Sequence, residues 1–181
     1  MDPRGGAAPW TPGLRPRGPP AAVYALHAAE VPVLVARPVP AGRRLAERVM
    51  VAAAGAEGDR RAAQVAAAVA ARAGGSVTFL HVEGPHGPDV HRHLAEAAAD
   101  ARALTGAEPV VVGVRGRGPD VLVSAADELE ATLLVLGSRS LAGLRALASV
   151  SERVGARAHC PVLVMRDQAS ADARFASRSS G

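Results

Sequence analysis

From Val49 onward, short apolar runs alternate with amphipathic stretches of helical period. The run VMVAAA at 49–54 predicts a buried strand. A helix over 59–72 follows, with Ala62, Val65, Ala66 and Val69 on one face, and Gly74 and Gly75 stop it. SVTFLHV at 76–82 predicts a second strand. A helix over 88–104 then carries Val90, Leu94, Ala97, Ala98, Ala101 and Leu104 on one stripe. PVVVGV at 109–114 is a third strand, and 119–129 a helix with Pro119 in its first turn and Leu122, Ala125, Ala126 and Leu129 inward. TLLVL at 132–136, a helix over 146–158 with Leu147, Val150 and Val154 inward, and a strand at 162–165 complete the series.

Strands that are apolar throughout, each separated by a helix, imply a parallel sheet covered on both faces. With right-handed crossovers this becomes an α/β, Rossmann-like, doubly wound five-stranded parallel sheet. Ligands of such sheets bind beyond the carboxyl ends of the strands, at the switch point. Those ends carry Gly55, Val82 with Glu83, Arg115 with Gly116, and Gly137 with Ser138.

The segments flanking this pattern differ from it. Residues 1–20 and 167–181 are rich in Pro, Gly, Arg and Ser and have little to bury, so disordered tails are expected. Between the first tail and the first strand, AAEVPVLVAR at 28–37 echoes RAHCPVLVMR at 157–166. Pro-Val-Leu-Val is a cheap way to write a strand. The other reading makes residues 22–38 the remnant of a preceding copy of the same domain. In that case 31–36 should be a strand, at an edge of its own sheet or of a partner's.

Composition narrows the function classes. Aromatics are only 2% of the chain, so the core must be aliphatic, and a nucleic-acid surface of stacked rings is not expected. The net charge is +4, and all 21 basic residues are Arg. Arg-rich tails, with Arg4, Arg15, Arg17, Arg174 and Arg178, allow salt-dependent nucleic-acid binding. An Arg-for-Lys, Ala-rich bias over the whole chain is explained more simply by genome composition. The single cysteine, Cys160, allows no intramolecular disulfide and fits a reducing compartment. No run approaches the length of a membrane span, and the first 20 residues lack the apolar stretch of a signal peptide. A cytoplasmic protein with no membrane contact is expected.

LLVLGSRS at 133–140, SVSERV at 149–154 and HCPVLVMR at 159–166 resemble the closing block of the universal stress protein family. The stretch from Arg115 to Ser140 also looks like that family's third helix and fourth strand. The resemblance covers 46–166 and implies an adenine nucleotide alpha hydrolase-like fold. It further implies a homodimer, a link to stress response, and ATP or AMP as candidate ligands.

In ATP-binding relatives the final loop follows Gly-x2-Gly-x9-Gly-Ser/Thr. Glycines let main-chain amides approach phosphates, and a hydroxyl at the next helix's N-terminus adds a donor. Gly137 matches the first position. Ser140 replaces the second Gly and Ala148 the last, with 7 residues between them, while Ser149 and Ser151 keep hydroxyls. The first strand of relatives ends in Asp-Gly-Ser, where this chain has Ala54, Gly55 and Ala56. The resemblance therefore implies a nucleotide site at Ala54, Gly55, Val82, Arg115, Gly137, Ser138, Ser140, Ser149 and Ser151, in degenerate form. Without a ligand, Gly137 merely ends a strand and Ser149 caps a helix, with Glu152 as its capping-box partner.

Other constellations are weaker. His86, His91, His93 and Asp89 match no metal-ligand spacing. His81 lies inside the second strand, buried or at the site rim. Cys160 is expected to be structural. There is no catalytic set: no Ser-His-Asp order, no Gly-x4-Gly-Lys-Ser/Thr loop, and no pyrophosphatase-type Ser-Gly-Gly-x-Asp-Ser signature. No enzyme is expected, and the partner is an unidentified protein.

Overall fold

The computed structural model describes residues 26, 29, 31–53, 57–83, 89–116, 118–137 and 144–165. The tails at 1–20 and 167–181 lie outside the described residues. Strand β1 (Val33–Val35) comes first, followed by β2 (Arg48–Ala53), α1 (Glu57–Ala73), β3 (Ser76–Glu83) and α2 (Asp89–Thr105). The chain continues through β4 (Val110–Arg115), α3 (Gly118–Glu128), β5 (Leu133–Leu136), α4 (Leu144–Arg157) and β6 (Val162–Val164). The periodicity places each element from β2 onward within two residues of these bounds.

The sheet runs β1-β6-β5-β2-β3-β4. Strands β2 to β6 pair in parallel, as expected, but among the described residues the sheet has six strands, not five. The sixth is β1, antiparallel to β6. A five-stranded sheet would leave the main-chain groups of β6 open along an edge, and β1 covers them.

Strand alternation sends two apolar sets to opposite faces. Met50, Leu80, Leu134, Leu136 and Val162 face α3 and α4, whose Leu122, Ala126, Val150 and Val154 cover them. Val49, Val51, Phe79, Leu133 and Val135 face α1 and α2. On that side the cover is mostly alanine: Ala62, Ala63, Ala66, Ala67 and Ala70 from α1, and Ala97 and Ala101 from α2. Small side chains bring α1 close against the sheet. The apolar stripe of α2 runs off the packed surface in its last turn, where Leu104, expected inward, is 51% exposed.

The amino end of the sheet is tied by polar groups. The Thr132 hydroxyl accepts from the Arg48 amide at 2.9 Å and donates to the Arg48 carbonyl at 3.2 Å, joining the start of β2 to that of β5. Arg43 and Arg48 both reach Glu130. The Glu47 carboxylate accepts from the Arg44 amide and then from the Arg43 guanidinium, which holds it below its ordinary range. All these charges lie at the end opposite the strand termini where ligands bind in such sheets.

Candidate functional site

The chain leaves β2 toward β3 on one side and β5 toward β6 on the other. The switch point therefore lies between the carboxyl ends of β2 and β5. Strand β2 ends in Ala53, which is buried, and β5 runs into Gly137, also buried. The Met165 amide donates to the Leu136 carbonyl at 2.9 Å, so the end of β6 closes against β5.

The carboxyl end of β3 carries His81, register partner of Ala53 on one side and Gly113 on the other. Its imidazole is 8% exposed, and Nδ1–H donates to the Ala53 carbonyl at 3.2 Å. That bond fixes the last peptide of β2 at the switch point. The sequence signal for this was present: His81 shares strand parity with Val77 and Phe79, both buried on the α1 and α2 face. His81, expected to be buried or at the site rim, is buried.

Val82 points to the other face, half-buried against the α3 and α4 layer. Arg115 ends β4, the outermost strand on its side, and its side chain is exposed. Gly116 follows with φ +143°, and a β-carbon there would stand 2.4 Å from Val121 Cγ2. The turn out of β4 into α3 therefore requires glycine, a constraint that the sequence reading did not draw from Gly116.

The structure thus lines up Gly137, Val82 and Arg115 along one edge of the sheet. Gly137 and Arg115 are three strand spacings apart, or roughly 14 Å. Ser151 is 5% exposed inside α4. Ser149 also lies within α4, which begins at Leu144. The N-cap and capping-box reading of Ser149 is corrected accordingly: the helix starts five residues earlier, so the first-turn amides belong to other residues. Ala54, Gly55, Ser138 and Ser140 lie outside the described residues, as does His86.

No group of three or more His, Cys, Asp or Glu among the described residues is arranged to hold a metal ion. Cys160 is buried, and burial, with the Asp127 carboxylate adding to it, pushes its thiol up to about 11. No helix among the described residues is long and apolar enough to cross a membrane.

A mostly parallel, doubly wound sheet with helices on both faces and small residues at its switch point defines an α/β fold of the Rossmann-like class. The chain belongs to the universal stress protein family, whose model matches residues 46–166. A universal stress protein of Thermus aquaticus, encoded in the 3' region of QAH/OAS sulfhydrylase, is 33% identical over 135 residues, 65% of this chain and 97% of its own length. A universal stress protein solved in complex with cAMP is 30% identical, with a TM-score of 0.57 over 66% of this chain and 96% of its own. The universal stress protein of Archaeoglobus fulgidus in complex with dAMP is 26% identical, with a TM-score of 0.53 over 66% of this chain and 97% of its own.

Proposed function

We propose that this chain is a non-catalytic regulatory and interaction module of the stress response, cytoplasmic and homodimeric, whose nucleotide site has degenerated. The observation that supports this reading is the start of α4 at Leu144. Residues 144–148, which the family pattern assigns to the phosphate-wrapping loop, are helical here. The amides of Ala148 and Ser149, beyond the first turn, are committed to intrahelical bonds, so Ser149 does not stand at a helix N-terminus as the family pattern requires. The Asp that closes the first strand in nucleotide-binding relatives is Ala54 in this chain. Loss of one such hydrogen bond costs about 1–3 kcal/mol, or roughly one to two decades in affinity. Neither nucleic acid nor membrane enters this reading, and the partner is a protein.

A second reading keeps an adenine nucleotide, ATP or AMP, as the ligand of a stress sensor. It is favoured by the two relatives solved with cAMP and dAMP. The contacts would come from the main chain at Ala54, Gly55, Val82, Arg115 and Gly137, and from the hydroxyls of Ser138, Ser140, Ser149 and Ser151.

Thermal unfolding with and without millimolar ATP, ADP, AMP or cAMP separates the two. A ligand at one hundred times its Kd stabilises the folded state by about 2.7 kcal/mol, several degrees in Tm. The degenerate-site reading expects no shift with any of them. A clear upward shift would transfer the conclusion to the sensor.

A further inference from the structure

Residues 32–35 and 161–164 are both Pro-Val-Leu-Val. The two copies are β1 and β6 with the proline before each, and they lie side by side. Their register is Val33 opposite Val164, Leu34 opposite Leu163 and Val35 opposite Val162. Superimposing the repeats makes Leu34 the counterpart of Leu163, and Leu34 is the residue that faces Leu163. An antiparallel pair in which each residue faces the counterpart of its own mirror position has the symmetry of two identical strands about a twofold axis.

The β1 segment lies ahead of the family domain, which spans 46–166. It is nevertheless built in. Leu26 and Val35 are 2% and 7% exposed within the core that holds Val154, Val162 and Val164. Leu26 Cδ1 and Val35 Cγ2 approach α4 at Gly155, 3.4 and 3.7 Å from where a β-carbon would stand. Arg37 Nη2 donates to the Gly155 carbonyl at 2.7 Å and the Ala156 carbonyl at 3.3 Å, a cation at the negative end of α4. The Pro161 carbonyl and the Met165 amide bond to β5. By alternation, the main-chain groups of Val162 and Val164 face β1 and those of Leu163 do not.

We infer that β1 occupies the place of β6 from a second copy of this chain. The chain supplies its own stand-in partner strand. When β1 withdraws, the β6 edge takes β6 of another copy in the same register, with Val on Val and Leu163 on Leu163. The repeat carries the choice of partner, because a second β6 offers the same residues in the same order that β1 already presents. A tethered strand competes at an effective concentration in the millimolar range, so at micromolar protein β1 holds the edge, and the homodimer proposed above uses this edge only once β1 is released. The inference rests on the repeat and the register and is independent of any nucleotide.

The test uses disulfide trapping in the full-length chain, with Cys160 unchanged throughout. Leu34 and Leu163 form a non-hydrogen-bonded pair, with Cα atoms about 4.5 Å apart, close enough for a disulfide. With added oxidised glutathione as electron acceptor, the variant Leu34→Cys/Leu163→Cys should close a disulfide within one chain, losing two thiols and two hydrogens while staying monomeric. Leu163→Cys by itself should remain monomeric on a non-reducing gel. Adding Val33→Pro removes a ladder amide from β1, and Leu163→Cys/Val33→Pro should form a disulfide-linked dimer at least tenfold faster than Leu163→Cys. If Val33→Pro fails to fold, Arg37→Ala takes its place and should speed dimer formation several-fold. Failure of the double cysteine to close within the chain would overturn the position of β1. A Leu163→Cys chain that dimerises as fast with β1 intact as with it weakened would overturn its guarding role. A folded, weakened variant that stays monomeric would overturn the second copy as partner.

Discussion

At the scale of single residues, Cys160 shows how burial sets chemistry. The side chain is 3% exposed, and its thiol rises from 9.0 to about 11, first through burial and then through Asp127. A thiol-specific disulfide reagent at pH 8 should therefore react at the rate of unfolding and no faster. Between about pH 9 and 11 the folded thiol keeps a proton that the unfolded one has lost. Stability should fall as pH rises through that window, and Cys160→Ala should flatten the slope in pH-dependent melts. The buried setting of Cys160 was readable from its place before Pro161 and an apolar strand. The bond from His81 to the Ala53 carbonyl was not, because it depends on which strand lies beside β3, and single-sequence periodicity does not give strand order. The Gly116 turn was hidden for a similar reason: its close neighbour, Val121, belongs to the next helix.

Helix α1 is the clearest case at the scale of elements. Ala62, Ala66, Ala67 and Ala70 are fully buried, and this run of small side chains sets the distance between helix and sheet. Ala66→Leu adds volume where none is available. It should cost about 1–3 kcal/mol, read as a lower urea midpoint with an unchanged slope. Helices and strands were legible from β2 onward because the helices carry one apolar stripe, the strands are apolar throughout, and glycines or prolines mark most of the boundaries. The start of α4 follows the same pattern, expected at Ala146 and found at Leu144; the glycine pattern of the family resemblance instead sets Ser149 at a helix terminus, and the structure has it inside the helix. For 31–36 the sequence allows two readings. A three-residue strand is too short for periodicity to decide, and only its pairing with Val162–Val164 makes it one.

Over the whole molecule, protection should be graded across the sheet. Val51, Leu134 and Val135 are fully buried in the two central strands, while Val110 and Val111 on the β4 edge are 55% and 50% exposed. Amide exchange of β2 and β5 should require global unfolding, whereas β1 and β4 exchange through local opening at lower free energy. Uniform protection from β1 to β4 would contradict this. The fold class was legible at this scale since continuous apolar strands between helices permit few arrangements. The candidate site was legible only as positions along strand ends, because a binding surface depends on how loops meet in space. The pairing of β1 with β6 also bears on how the chain is made. Val33 and Val164 are 131 residues apart, from 164 minus 33, so β1 emerges from the ribosome long before the strand it pairs with. Closing so long a loop adds only slowly to the entropic cost, but it cannot begin until β6 has been synthesised. Throughout translation the first strand waits without its partner, and the sheet can be sealed along that side only as synthesis of the domain finishes.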